Sequence, residues 1–133
     1  VVDIGSGVTD IAIYYGGVLN YIASIPIGGA AVNNDIRHFN GYIPAKTDDR
    51  RSKLRTLEKV SAQLKQTQII IETPYRNDSL FADMLATCSA STKICVAANI
   101  TMPDAYIMTK KVSEWKKEGL TIGKRPCVFL ILA

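Results

Sequence analysis

The chain has 133 residues and a formal charge of +4, with 47% hydrophobic and 21% charged side chains. That is apolar material for one ordinary domain, or for a small domain with an appendage, and too much for a disordered chain. No apolar run approaches the ~20 residues of a membrane helix and no basic-apolar-small order marks a signal peptide, so no membrane partner and a cytoplasmic location are expected.

The chain opens at Val1 rather than at a methionine, which reads as a fragment or an excised piece of a longer product. Cys88, Cys95 and Cys127 cannot all pair, none lies in a CxxC spacing, and His38 is the single histidine. A zinc site therefore lacks ligands, no metal is expected, and buried reduced thiols are the expectation. Charge is uneven: residues 1–37 hold three aspartates against one arginine, and the remainder holds 15 basic and 9 acidic residues. A polyanionic partner such as RNA accounts for the basic part, and so do lysines on solvated helix faces.

In chain order, Val1–Ile4, Ile11–Tyr15 and Val18–Ile25 read as strands, with a hairpin turn at Gly16-Gly17. Ala30–Ile36 reads as a helix start. Three strands are too few for a core of their own. A second organisation begins near Phe39. Gly41–Pro44 looks like a strand end, and Thr47 with Asp48 and Asp49 looks like a capped helix start. Leu54, Leu57, Val60 and Leu64 line one helix face to about Lys65, while Arg50, Arg51, Lys53, Arg55 and Lys59 fill the others. Gln68–Glu72, with three isoleucines, reads as a strand buried on both faces. Thr73–Arg76 is a loop, and Asn77 or Asp78 caps a helix with Leu80, Phe81, Met84 and Leu85 on its core side. Lys93–Ala98 and Tyr106–Thr109 follow as strands, Val112–Lys117 as a short helix, and Pro126–Leu132 as a closing strand. Strands alternating with helices indicate an α/β layer.

Two constellations carry chemistry. The first is Asp3-Ile4-Gly5-Ser6-Gly7-Val8-Thr9-Asp10. Glycines expose backbone amides to an anion between two carboxylates and two hydroxyls, which suits phosphate and Mg²⁺; a plain glycine hairpin has the same pattern. With Gly16–Leu19, Ile25–Gly29 and Asn34–Ile36, this stretch closely resembles the second phosphate-binding segment of the actin-like ATPases, and among them the bacterial cell-division branch. The resemblance covers residues 1–36. It implies phosphate-facing roles for Asp3, Gly5, Ser6, Gly7, Thr9 and Asp10. That family needs two lobes with several such segments, so an ATPase is not expected here.

The second is Gln66–Asn77, where a strand ends in Glu72 and a proline-stiffened turn delivers Tyr75 and Arg76. Open α/β sheets place ligands at such carboxyl edges, and a Glu72–Arg76 salt bridge that merely pins the turn is the competing reading. Together with Phe39–Pro44, Lys93–Thr101, Thr109–Trp115 and Lys124–Leu130, it resembles the C-terminal half of the tetrapyrrole methylase superfamily, on the branch of the small-subunit ribosomal RNA 2′-O-cytidine methyltransferases. The match covers nearly all of residues 38–133. It implies an α/β lobe, a mixed sheet with flanking helices, that supplies the adenosine side of an S-adenosylmethionine cleft. The matching residues are Glu72, Thr73, Pro74, Tyr75, Arg76, Ala98, Asn99, Thr101 and Pro126. The glycine-rich loop and acidic motif of that family's N-terminal lobe are missing, so weak cofactor binding and no turnover are expected. No catalytic residue is assigned.

Lys110, Lys111, Lys116, Lys117, Lys124 and Arg125 form either an RNA-facing ridge or a solvated surface. Trp115 stacks on a base or, more simply, pins its helix to the sheet. The reading is therefore two parts: residues 1–37, an actin-like β-hairpin segment, and residues 38–133, a methyltransferase lobe, joined near Arg37–Phe39. Three functions follow: an rRNA methyltransferase lobe, a nucleotide-binding piece of an actin-like division protein, or a chimeric module without activity. A lobe with half its cleft uncovered is expected to associate with itself.

Overall fold

The computed structural model describes Val2–Ile4, Thr9–Tyr15 and Val18–Ile25 by backbone alone, and residues 38–133 with their side chains. β1 (Val2–Ile4), β2 (Thr9–Tyr15) and β3 (Val18–Ile25) form one antiparallel sheet. Tyr15 stands opposite Val18, with the expected Gly16-Gly17 turn falling between them, outside the described residues. The expected helix start at Ala30–Ile36 also lies outside them.

The second sheet has the order β4-β5-β8-β6-β7, built from β4 (His38–Gly41), β5 (Gln68–Ile71), β6 (Lys93–Ala98), β7 (Tyr106–Lys111) and β8 (Cys127–Leu132). β4 runs parallel to β5, with its pairing shifted between Phe39 and Gly41, and every other pair is antiparallel. With α1 (Thr47–Leu64), α2 (Asn77–Thr87) and α3 (Val112–Glu118), this is a mixed α/β fold with flanking helices, as the sequence indicates. Gly41 ends β4 at φ +66°, so the strand stops before Tyr42.

α1 starts as its two aspartates suggest, with Asp48 and Asp49 in the amide-rich first turn. Thr47 is its first residue rather than a side-chain cap, since no side chain caps this end. Its buried stripe is Arg50, Leu54, Leu57 and Ser61, and Leu64 is 64% exposed. The stripe is thus turned from the one expected through Val60 and Leu64. Asp83 on α2 is the reason. Arg50 donates from Nε at 2.6 Å and Arg51 from its own Nε at 2.7 Å to the two oxygens of that buried carboxylate. Burial pushes the Asp83 carboxyl up, but the hydrogen bonds from Arg51 and Arg50 outweigh it and hold it below the usual carboxylate range.

All three helices pack on one face of the sheet. Leu54, Leu57, Leu80, Phe81, Met84, Val112 and Trp115 meet Ile70, Ile94, Val96, Phe129 and Ile131 there. Trp115 is fully buried, meets Phe81 edge-on at 5.4 Å, and donates its indole N–H to the Ile94 carbonyl at 2.9 Å. It pins α3 to the sheet and is closed to base stacking. The opposite face gathers Ile69, Cys95, Ala97, Ile100, Val128 and Leu130. Cys88, Cys95 and Cys127 are free and buried, as expected. Burial pushes the Cys88 and Cys127 thiols up to about 12 and raises Cys95 as well, so none is a nucleophile at neutral pH.

Candidate functional site

Strand direction assembles the site. β5 and β6 both run antiparallel to β8, which lies between them, so the carboxyl ends of β5 and β6 flank the start of β8. Ile71 is opposite Val128, and Ala98 is opposite Cys127. The Asn99 amide donates to the Pro126 carbonyl at 2.9 Å. The three segments singled out in the sequence, Glu72–Arg76, Ala98–Thr101 and Pro126, therefore share one sheet edge.

Glu72 follows β5 and turns inward, leaving its side chain fully buried. Its Oε1 accepts from the Thr73 amide at 2.7 Å and from Arg76 Nη2 and Nε at 2.6 and 3.0 Å. This is the turn-pinning salt bridge, and Pro74–Arg76 forms one short 3₁₀ turn beneath it. Oε2 of the same carboxylate is buried and has no hydrogen-bond partner. A buried acceptor left unpaired costs roughly 1–3 kcal/mol, more when charged, and so invites a donor.

Asn77 and Asp78 do other work than the capping expected of them. No side chain caps α2. Asn77, fully buried, donates its amide N–H groups to the Gly123 carbonyl at 3.2 Å and the Arg125 carbonyl at 2.6 Å. Asp78 accepts from the Ile122 amide at 2.7 Å and from the Gly123 amide. The pair clasps the loop that feeds β8, and so holds Pro126 beside the β5 turn. Asn77 Oδ1 is a second buried acceptor without a partner. A polar residue directly after a proline turn was the only sequence sign of this clasp.

After β6 the chain bends sharply. Asn99 and Thr101 take φ values of +49° and +75°, which for a β-branched residue is strained by about 1–3 kcal/mol. Asn99 Nδ2 bonds Asp104 at 2.7 Å, and the Met102 amide returns to the Asn99 carbonyl. Met102 and Pro103 continue this turn.

The basic residues divide into two groups. Lys124 lies over the ring of Tyr75, which is 80% exposed, and Arg125 lies over Tyr106. Both belong to the edge just described. Lys110 and Lys111 end β7 opposite Ile94 and Lys93, at the other end of the sheet, separated by roughly 16 Å at ~3.3 Å per residue. Lys110 pairs with Glu118 and lies over Trp115, and that hydrogen bond raises its pKa. Lys111, Lys116 and Lys117 are exposed.

Of the first constellation, Asp3 and Asp10 are direct cross-strand partners, as are Ile4 and Thr9. Both carboxylate residues thus share one face of the small sheet. Gly5, Ser6 and Gly7 lie outside the described residues. Among the described residues no three His, Cys, Asp or Glu side chains cluster as a metal site, and no helix is long and apolar enough to cross a membrane.

The fold is a mixed α/β domain whose β5, β6 and β8 segments meet at one edge, preceded in sequence by a small antiparallel sheet. The model of the cell division protein FtsA family matches residues 1–67, just over half of the chain, and the chain belongs to that family. The matched stretch runs past Arg37–Phe39 and takes in β4 and α1. Among solved structures, the chain is similar to the methyltransferase CobJ, at 14% identity and a TM-score of 0.46. That likeness covers 78% of this chain and 45% of the other, so the chain spans less than half the length of that protein. No curated protein matches it.

Proposed function

We propose that the edge formed by Glu72–Arg76, Ala98–Thr101 and Pro126 is the adenosine side of an S-adenosylmethionine site, carried by a methyltransferase lobe whose parent reaction is 2′-O-methylation of ribosomal RNA. One observation carries the reading: two buried acceptors, Glu72 Oε2 and Asn77 Oδ1, lack donors beside the edge that the sequence resemblance marks. An adenine amino group and ribose hydroxyls are donors of the required kind, so these residues fit the group. When bound, the sulfonium supplies an activated methyl whose leaving group needs no acid. The residues of this chain then align and shelter: Glu72 and Asn77 accept hydrogen bonds, Arg76 fixes the Glu72 rotamer, and Tyr75 with Lys124 and Arg125 presents an aromatic and cationic rim to RNA. Half a cleft binds weakly, and the chain by itself turns over no substrate.

A second reading rests on the FtsA family match and on Asp3 standing opposite Asp10. On that reading residues 1–36 contribute to a nucleotide phosphate site. Calorimetry on the full chain separates the two. S-adenosylhomocysteine binding that Asn77→Leu abolishes supports the first. Mg²⁺-dependent ATP binding, with none for S-adenosylhomocysteine at millimolar concentration, replaces it with the second. Silence toward both leaves a folded module without ligand and refutes both.

A further inference from the structure

The three central strands of the five-stranded sheet are deeply buried on the face away from the helices. Ile69, Cys95, Ala97, Val128 and Leu130 are between 0 and 7% exposed. Yet the apolar members of that cluster come from β5, β6, β7, β8 and Ile100 after β6, and among the described residues no helix adds an apolar side chain to it. A sheet face with water on it exposes its aliphatic side chains, which is why antiparallel sheets solvated on one side carry polar residues there. Farther out on the same side the cover ends: Phe39, in register with Ile69, is 53% exposed. What is covered is a patch three strands wide, β5-β8-β6.

The small sheet offers a matching pattern of residues. Cross-strand partners share a face, and residues two apart on a strand do too. The register therefore sets Val2, Ile4, Ile11, Ile13, Tyr21 and Ile25, with Thr9, on one face, and Asp3, Asp10 and Ser24, with Ala12 and Ile22, on the other, so the first face is the more apolar. Its width is likewise three strands, about 14 Å at the usual strand spacing. Such a sheet does not stand alone; it needs a second layer over its apolar side. Residues 26–37 join it to β4, and twelve residues reach up to ~40 Å, so the tether permits stacking.

We propose that β1-β2-β3 stacks its Val2, Ile11 and Ile25 face on the helix-free face of β5-β8-β6, making residues 1–133 one unit of sheet, sheet and helices. The occupant is this chain's own N-terminal segment. Stacked sheets pack ~10 Å apart and interdigitate, which accounts for the low exposure of Leu130 and Val128. Asp3 and Asp10 then face outward, so the arrangement stands whichever ligand reading holds.

The three cysteines provide the test. Cys95 lies under the proposed cover, whereas Cys88 and Cys127 belong to the helix-side cluster. Alkylation of the full chain with N-ethylmaleimide, mapped by mass spectrometry, reads each separately. Ile11→Asp is expected to raise the Cys95 rate at least tenfold with Cys88 and Cys127 unchanged, while Ser24→Asp on the opposite face leaves all three slow. Cys95 staying as slow in Ile11→Asp as in the unmodified chain overturns the proposal. So does Cys95 protection that disappears on dilution, since a second copy is then the cover. If Ile11→Asp opens all three thiols together, photo-leucine at position 11 of the full chain decides: cross-links to β5, β8 or β6 within one chain support the stacking, and their absence refutes it.

Discussion

The two faces of the five-stranded sheet reach similar burial by different routes. Phe129 and Leu130 are neighbours on β8, the first among helix side chains at 0% exposure and the second in the strand-only cluster at 7%. On the helix face the layer above is bound to the sheet by the Trp115 indole as well as by area, and the Arg50–Asp83 pair joins α1 to α2 within that layer. On the other face the described contacts are apolar side chains of β5 to β8 and of Ile100, and the hydrogen bond there between Cys95 and Thr109 stays within the sheet. A layer held by area alone can be lifted off by one charge, and a layer with buried polar ties comes apart only with the domain.

The sharpest blow to the helix face is Trp115→Ala, which removes a buried ring, its edge contact with Phe81 and a hydrogen bond. A loss of about 4 kcal/mol in urea unfolding is expected. Asp83→Ala strands two arginines, one of them buried, and is expected to cost roughly 3 kcal/mol. Its acid signature is separable. The folded carboxyl sits below its ordinary value, so its contribution is complete above about pH 4 and is lost as pH falls through the folded pKa. An unfolding titration of Asp83→Asn accordingly shows a shallower decline with acid than the unmodified chain. Leu130→Ala, on the helix-free face, is expected to cost about 2.5 kcal/mol. A cost under about 0.5 kcal/mol, the range of surface substitutions, would mean that this face is bare in solution and that the contrast between the faces is false. Asn77→Ala follows at roughly 1–2 kcal/mol for its two lost carbonyl contacts. Smallest is Tyr75→Ala, within about 0.5 kcal/mol for so exposed a ring, although it should weaken RNA retention in a filter assay if that rim meets RNA.

Much of this was legible in the residues. The isoleucine run at 69–71 and the alternation of strand and helix announced the sheet, because apolar runs bounded by turn residues have few other solutions. Trp115 as a pin for α3 and three buried thiols were also readable. The Glu72–Arg76 bridge was one of two readings of its turn, and it is present, while the other, a ligand edge, is a proposal. Arg50 was not legible. It stands among Arg51, Lys53 and Arg55 like a solvated residue, and only the distant Asp83 draws it inward, a long-range pairing that leaves no periodic trace. Asn77 and Asp78 misled for a related reason. Residues that suit a helix start can spend the same atoms on a neighbouring loop, and the loop at 122–125 lies more than 40 positions away. The split of the basic residues into two groups likewise needed the β6–β7 register, which no local pattern encodes.

The rims of the larger sheet bear on how the molecule behaves at high concentration. β7 ends in Lys110-Lys111, and although Lys110 is paired with Glu118, Lys111 sets an exposed charge on that edge. β4 offers only four residues, with a shifted pairing at Phe39–Gly41 and a positive φ at Gly41 that breaks the ladder. β4 gives an incoming strand no long straight template, while β7 offers six regularly paired residues that end in a charge. Fibril-like growth by edge addition is opposed by interruption at one rim and by charge at the other, even though the centre of the sheet is rich in isoleucine and valine.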